Sequence, residues 1–504
     1  MAQTQQLFSS SLPQTLWCAE LVKSQEGLLA KQQGISLPQL MERAGQAAFA
    51  YMHSRWPKAR HILVLAGGGN NGGDAYVVAR LAKLSGKLVQ LLELGSPQRL
   101  PEEAQQAREA WLAAGGRAEA IERVNWQCDV VVDGVLGTGL SSPLRAPLIE
   151  LFSQVNQAKA EVLALDIPSG LDADSGRNWG QVIQATATVT FIALKQGLFT
   201  GQAAEYVGEL VLADLGVGEA FEQQNQTSVK RLLKHLLDPM LAPRSRLAHK
   251  GHCGRALLVG GNLGMAGAIR MAGEACLRSG AGLVNVLTHR DNIDAVSYGR
   301  PELMVSAAPL RQTTHQEQLL QQATCCVIGP GLGQDDWAKQ LFTWALGVAV
   351  PCLVDADGLN LLAKQSLYRA DWILTPHPGE AARLLSCTVA DVEADRISAA
   401  RQIQARYGGV CVLKGAGTVI AGEEQQVAIC GAGNPGMASG GMGDVLSGII
   451  GGLLAQLSER YSLFEIACLA VNIHGQAADL AAKQGERGML ASDLMPYIRQ
   501  RVNP

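Results

Sequence analysis

Charge and aromatic rings are both scarce in this chain. Asp, Glu, Lys and Arg make up 17% of the 504 residues, and Phe, Trp and Tyr only 5%. Acids and bases nearly cancel, leaving a net charge of −3. No basic face for nucleic acid or for an anionic membrane is therefore expected. Apolar runs of about 18 residues, the length a membrane helix needs, are also missing. The nearest approach, around residues 449–457, is interrupted by Gly451 and Gly452. Eleven cysteines are scattered without C-x-x-C or Cys/His pairs at zinc spacing. That pattern excludes a zinc module and points to reduced structural thiols, with Cys325 and Cys326 inside a buried strand. Residues 1–17 lack the basic segment and apolar core of a secretory signal. The expected location is cytoplasmic.

What the chain does have is apolar residues, at 47%, and 56 glycines without a collagen period. This composition belongs to a packed globular protein of roughly two to four domains. Short apolar runs at 62–66, 88–92, 130–132, 162–165 and 189–194 predict strands. Between the first two, 67–73 is expected as a loop and 74–84 as a helix with Val77, Val78, Leu81 and Leu84 on one face. Ser36-Leu37-Pro38 is a helix start leading into 39–52. Continuous apolar strands separated by helices imply a parallel sheet covered on both faces. A polar stretch at 222–228 marks a domain boundary, giving domains at 1–220 and 230–504. The second repeats the α/β pattern, with strands at 256–259, 283–287, 325–328, 352–354, 372–374 and 410–413. A hairpin follows at 419–429, then helices at 464–483 and 492–502.

Chemistry is concentrated where glycine-rich turns follow strands. The run Gly433-Asn434-Pro435-Gly436-Met437-Ala438-Ser439-Gly440-Gly441-Met442-Gly443-Asp444 leads into an apolar helix expected at 445–456. Free N–H groups at a helix start suit phosphate oxygens. Asp444 beside such a cradle is suited to taking a proton from a hydroxyl that meets a phosphoryl group; the plainer role is a helix cap. Gly67-Gly68-Gly69-Asn70-Asn71-Gly72-Gly73-Asp74 follows the first strand, where open parallel sheets bind ligands. It matches neither the dinucleotide fingerprint nor the P-loop. Further strand ends supply Asp133 with Gly137-Thr138-Gly139-Leu140, and Asp166-Ile167-Pro168-Ser169-Gly170. Asp133, Asn71 and Ser169 offer an all-oxygen set for a hard cation, and Asp166 is a candidate acid or base; each acid also suits a turn cap.

Together with Leu40-Met41-Glu42-Arg43-Ala44-Gly45, these motifs resemble the NAD(P)H-hydrate epimerase domain, a Rossmann-like fold that interconverts the R and S epimers of hydrated NADH and NADPH. The resemblance implies that Asn70, Asn71, Gly72, Gly73 and Asp74, with Gly137, Thr138, Gly139, Leu140, Ser141, Ser142 and Pro143, contact the hydrate. It places Asp166 at the reacting carbon and a potassium ion among Asn71, Asp133 and Ser169. Ala75 departs from the pattern, since the loop usually ends in glycine there.

In the second half, Gly261–Ala268, Ile328–Gly333, Val354–Asn360, Leu374–Glu380 and Lys414–Thr418 all follow strands and are expected to face one crevice. Lys414 and Thr418 can hold nucleotide phosphates. His377 can orient substrate or cap the helix after it. Asp355, Asp357 and Glu380 can hold magnesium through waters. This set is similar to the ADP- or ATP-dependent NAD(P)H-hydrate dehydratase domain, which is ribokinase-like. By that similarity Ala268, Gly331, His377 and Asp444 lie at the hydrate, and Lys414, Gly415, Ala416, Gly417, Thr418 and Gly443 at the nucleotide. The order of the two domains resembles the bifunctional NAD(P)H-hydrate repair enzymes, which implies NADHX and NADPHX as substrates, ADP with magnesium as co-substrate, and a homo-oligomer. In that chemistry Asp444 would deprotonate the C6 hydroxyl of the S hydrate, which attacks the terminal phosphoryl group of ADP. Loss of phosphate then restores NAD(P)H, and the first domain recycles the R form. The competing expectation is a ribokinase-like kinase of a small alcohol with a non-catalytic N-terminal binding domain.

Overall fold

Strands such as Ile62-Leu63-Val64-Leu65 carry apolar side chains on both sides, so each must be covered on both faces by helices. The computed structural model, which describes residues 7–308, 314–365 and 367–504, builds two such sheets. The chain divides into two units after Lys230; residues 1–6, which open the expected first domain, lie outside the described residues.

The first unit contains β1 (His61–Ala66), β2 (Leu88–Glu93), β3 (Ala118–Glu119), β4 (Val130–Gly134), β5 (Glu161–Leu165), β6 (Ala187–Phe191) and β7 (Glu209–Ala213). Their order is β3-β2-β1-β4-β5-β6-β7, and all neighbours run parallel. The order reverses between β1 and β4, the place where doubly wound sheets open a crevice at their carboxyl ends. Leu65 pairs with Asp133 there, so the chain leading to the helix that carries Asn71 and the loop that carries Gly137 start side by side.

The later strands are β8 (Val229–Arg231), β9 (Arg255–Val259), β10 (Leu283–Thr288), β11 (Leu303–Ala307), β12 (Cys325–Ile328), β13 (Cys352–Val354), β14 (Trp372–Leu374), β15 (Val410–Leu413), β16 (Thr418–Ala421) and β17 (Val427–Cys430). They form a second sheet in the order β11-β10-β9-β12-β13-β14-β15-β16-β17-β8. From β11 to β15 the pairs are parallel, and β15, β16 and β17 continue as an antiparallel meander. This sheet has its own switch point between β9 and β12. There Gly261 and Asn262 donate backbone N–H bonds to the carbonyls of Pro330 (3.0 Å) and Gly331 (2.7 Å).

Three sequence expectations are corrected here. Residues 70–73 are not loop: the helix is Asn70–Leu84, and its glycines are packing points, not turns. A Cβ at Gly72 would lie 2.0 Å from the Gly67 carbonyl oxygen, and one at Gly73 would lie 2.4 Å from Met41 Sδ. The strand expected at 189–194 stops at Phe191, because Ile192 takes a left-handed φ of 67° and turns the chain. The helix expected at 445–456 is Met442–Leu457, with Gly441 at φ 91° as its N-cap.

All eleven cysteines are free thiols, and only Cys18 and Cys387 are exposed. Burial pushes the Cys276, Cys325 and Cys411 thiols up, and a hydrogen bond with Cys352 followed by burial does the same for Cys326, so they are inert filler among apolar strands and helices. Among the described residues no helix is long and apolar enough to cross a membrane.

Helix Met442–Leu457 packs directly on helix Ala266–Arg278 through glycine: a Cβ at Gly448 would sit 2.1 Å from the Ala272 carbonyl oxygen. Gly448→Leu is expected to lower the stability of the second unit by about 1–3 kcal/mol or more through overpacking. Urea denaturation of wild type and variant measures it.

Candidate active sites

The first site is a cavity of about 600 Å³ at the carboxyl end of the first sheet. Asn70, Asn71 and Asp74 line it from the helix after β1, Gly137 to Leu140 from the loop after β4, and Asp166 from the end of β5. Gly72 and Gly73 are packed beneath it, and Ser141, Ser142 and Pro143 do not line it. Asp133 and Ser169 lie behind the wall, fully buried.

Asp133 sits in a closed network. Its Oδ2 accepts the Ser169 N–H at 2.8 Å, and its Oδ1 accepts the Ser169 hydroxyl at 2.5 Å and the Val135 N–H at 3.2 Å. Burial raises its carboxyl to about 6, against the lowering effect of those donors. Asn71 donates to the Leu136 carbonyl at 2.9 Å, which leaves its buried Oδ1 with no partner.

Asp166 is held in a left-handed conformation, φ 62°, a strained state for a residue with a Cβ. One oxygen, Oδ1, takes three donors: Lys195 Nζ at 2.5 Å, the Thr190 hydroxyl at 3.1 Å and the Phe191 N–H at 3.2 Å. Lys195, with a side chain 2% exposed, also donates to the Phe191 carbonyl at 2.7 Å. The turn at Ile192 is what brings this lysine back onto Asp166. Three more carboxyls face the cavity, Glu26, Asp74 and Glu103. Burial raises Asp74 well above the usual carboxylate range, and the charges of Asp166 and Glu26 add to it. Sequence reasoning missed Lys195 and Glu26. Their only signal was a single lysine in the apolar segment after β6 and one of two acids on an ordinary-looking helix.

The second site lies along the parallel strands of the second sheet. Lys414, just past β15, donates to Asp355 Oδ1 at 2.7 Å and approaches Glu380 at 3.8 Å. The other Asp355 oxygen accepts the Ser447 hydroxyl at 2.6 Å. Burial alone would lower the Lys414 ammonium, but Asp355, Glu380 and Asp444 outweigh it and raise it. Gly443 faces this pair, since a Cβ there would stand 3.4 Å from Lys414 Nζ. Asp444 occupies the first turn of helix Met442–Leu457, and burial followed by the charge of Asp355 raises its carboxyl to about 7.

Gly331, at φ 59°, packs on Ala268: a Cβ would come within 3.1 Å of the Ala268 Cβ. The turn at Lys414, Gly415, Ala416, Gly417 and Thr418 is braced by buried Arg396, which donates to the Lys414 carbonyl at 2.9 Å. Thr418 itself opens β16 and bonds the Gly415 carbonyl at 2.9 Å. His377 is the N-cap of helix Pro378–Leu385, its Nδ1 accepting the Gly379 N–H at 3.0 Å. Burial and then the Lys414 charge lower its imidazole, so it is neutral at pH 7.

Of the carboxylates expected to hold magnesium through waters, two are engaged with a lysine and one with a backbone N–H. Asp355 and Glu380 turn to Lys414, whereas Asp357 accepts the Gly333 N–H at 2.9 Å. Among the described residues no group of three or more His, Cys, Asp or Glu side chains is placed to hold a metal.

Behind the cradle, His474 is buried, its Nε2 has no partner, and burial followed by the Lys414 charge lowers its imidazole to about 4. The unfolded chain binds this proton near pH 6.5 and the folded chain does not, so the contribution is complete above 6.5 and lost as pH falls toward 4. A tenfold change in proton affinity is worth about 1.4 kcal/mol, so about 3 kcal/mol is at stake. The stability difference between wild type and His474→Gln, followed from pH 7 to 4, is expected to shrink by that order. Taking the difference cancels the raised carboxylates Asp444 and Glu380.

Known proteins match both units in this order. Residues 37–197 match the family model described as YjeF-related protein N-terminus, and residues 256–500 match NAD(P)H-hydrate dehydratase. The bifunctional NAD(P)H-hydrate repair enzyme Nnr of Escherichia coli K12 is 50% identical, covering 98% of this chain and 95% of its own. That of Coxiella burnetii is 48% identical, covering 94% and 97%. Among solved structures, a ribokinase-like superfamily protein from Enterococcus faecalis is 30% identical with a TM-score of 0.51, covering 55% of this chain and 97% of its own. Near-complete coverage at half identity, with both family models in register with the two sheets, makes this chain a member of the bifunctional NAD(P)H-hydrate repair enzyme family.

Proposed function

We propose that the first unit interconverts the R and S hydrates of NADH and NADPH, and that the second dehydrates the S form at the expense of ADP, releasing AMP and phosphate. The observation that carries the second half is Asp444: a carboxyl raised to about 7, in the first turn of a helix and beside Lys414. A base near neutral is matched to taking the C6 hydroxyl proton, while the helix N–H groups and Lys414 receive the phosphoryl charge. Asp355 and Glu380, both drawn to Lys414, would hold a magnesium ion through waters, and the ion would add positive charge at the phosphoryl oxygens.

Incubating the full chain with mixed R and S hydrates, magnesium and ADP should restore the absorbance of reduced nicotinamide; no recovery with ADP or ATP would sink the proposal. Asp444→Asn should slow dehydration by about 10²–10⁴-fold. In wild type the rate should fall below about pH 7, where Asp444 holds its proton and can accept no other. A phosphorylated product that accumulates without NADH release would instead indicate a kinase.

In the first unit, the unpartnered Asn71 Oδ1, the Asp133 carboxylate and the Ser169 hydroxyl suit a potassium ion, the all-oxygen environment such a hard cation takes. Bound there, the ion would supply fixed positive charge beneath the substrate loop. Potassium chloride should raise the melting temperature of wild type above that in lithium chloride of equal ionic strength, and Asn71→Ala should abolish the difference. An equal response in both proteins would remove the ion from this site.

A further inference from the structure

Glu26 stands on helix Ala19–Gln32, outside every motif that pointed to the first site, and lines the same cavity as Asp166, Lys195 and Asp74. It has no hydrogen-bond partner among the described residues and is half-buried, so its carboxyl is open both to the cavity and to solvent protons. Asp74 is 8% exposed and likewise unpartnered, and its deeper burial raises its carboxyl well above the usual carboxylate range. The buried Asn71 Oδ1 is another unsatisfied polar atom at this cavity.

The chemistry needs a group of this kind. The hydrate carries a hydroxyl on C6, next to the ring nitrogen, so C6 can invert if that hydroxyl leaves from one face with the help of the nitrogen lone pair and water returns on the other. Hydroxide is a poor leaving group and water a weak nucleophile, so an acid and a base are both required. Asp166, pinned by Lys195, supplies only one of them.

Resting on the proposed epimerase activity of this unit, we infer that Glu26 is the second acid–base catalyst of the inversion, paired with Asp166 across the cavity's substrate. In one direction the nitrogen lone pair forms an N=C6 double bond as the C6–O bond breaks. The departing oxygen takes the proton of Glu26 and leaves as water. A water then attacks C6 from the other face, its oxygen forming the new C6–O bond while the double-bond electrons return to nitrogen. Its surplus proton goes to Asp166, and exchange with solvent restores the starting state. The reverse inversion exchanges the two roles.

The surrounding charges suit this duty. Burial raises Glu26 to about 7; Asp166 and Glu103 push it further up, while Lys195 and Lys23 pull it down. Asp74 is the other titratable group that couples to it. Both protonation states are thus populated at neutral pH.

The test uses the full chain, R hydrate and chiral analysis of the product in ¹⁸O water. Wild type should take up one solvent oxygen per inversion. Glu26→Gln should slow inversion by about a hundredfold or more and flatten the pH dependence near 7, leaving ADP-driven dehydration of the S hydrate unchanged. Glu26→Ala should be partly rescued by formate or acetate, which a purely structural role would not permit. Inversion by Glu26→Gln at the wild-type rate would overturn the inference. So would inversion without oxygen uptake, or a slow Glu26→Gln with an unaltered pH profile and no rescue in Glu26→Ala. A wild type that inverts nothing would instead sink the epimerase proposal beneath it.

Discussion

Each unit fixes a lysine ammonium against an aspartate at the end of a parallel strand, Lys195 on Asp166 and Lys414 on Asp355. Such pairs add little net stability, because the cost of removing both charges from water offsets their attraction. What they provide is placement. Lys195 is tied at three points and Lys414 stands between two carboxylates, so each presents positive charge at a set position before any ligand arrives. The other acids take their character from these pairs. Asp444 and Glu380 sit within reach of Lys414 and Asp355, and Glu26 and Asp74 within reach of Asp166 and Lys195.

Parallel strand pairing makes those placements possible. In a parallel sheet every carboxyl end lies on one edge, so residues far apart in sequence converge without long loops. Asp355, Lys414 and Ser447 come from the ends of two strands and one helix, yet they form a single hydrogen-bonded chain.

The same logic explains what the sequence disclosed. Strand after strand was legible because buried parallel strands are uninterrupted apolar runs, as in Leu63-Val64-Leu65 or Cys325-Cys326-Val327. Short or polar-flanked edge strands carry no such signal, and β3, only two residues long, illustrates it. The strand-end acids Asp133 and Asp166 and the helix-start acid Asp444 were legible because each borders a glycine-rich turn. Lys195, Glu26, Arg396 and His474 were not, because their importance arises from what the fold places beside them. Glycine was the feature most easily misjudged. In residues 67–73 the absent side chain permits close contact of backbones, whereas at Gly441 it permits a left-handed φ.

The distribution of thiols has a practical consequence. Most of the eleven cysteines are sealed in apolar surroundings, and the half-exposed Cys128 is raised to about 11 by burial and by Asp129. At neutral pH a maleimide or spin-label reagent therefore meets two accessible sulfurs, Cys18 on the first unit and Cys387 on the second. The unmodified chain thus comes equipped with one spectroscopic handle per unit. A label on each reports the local surroundings of its own unit during turnover without engineering a single residue.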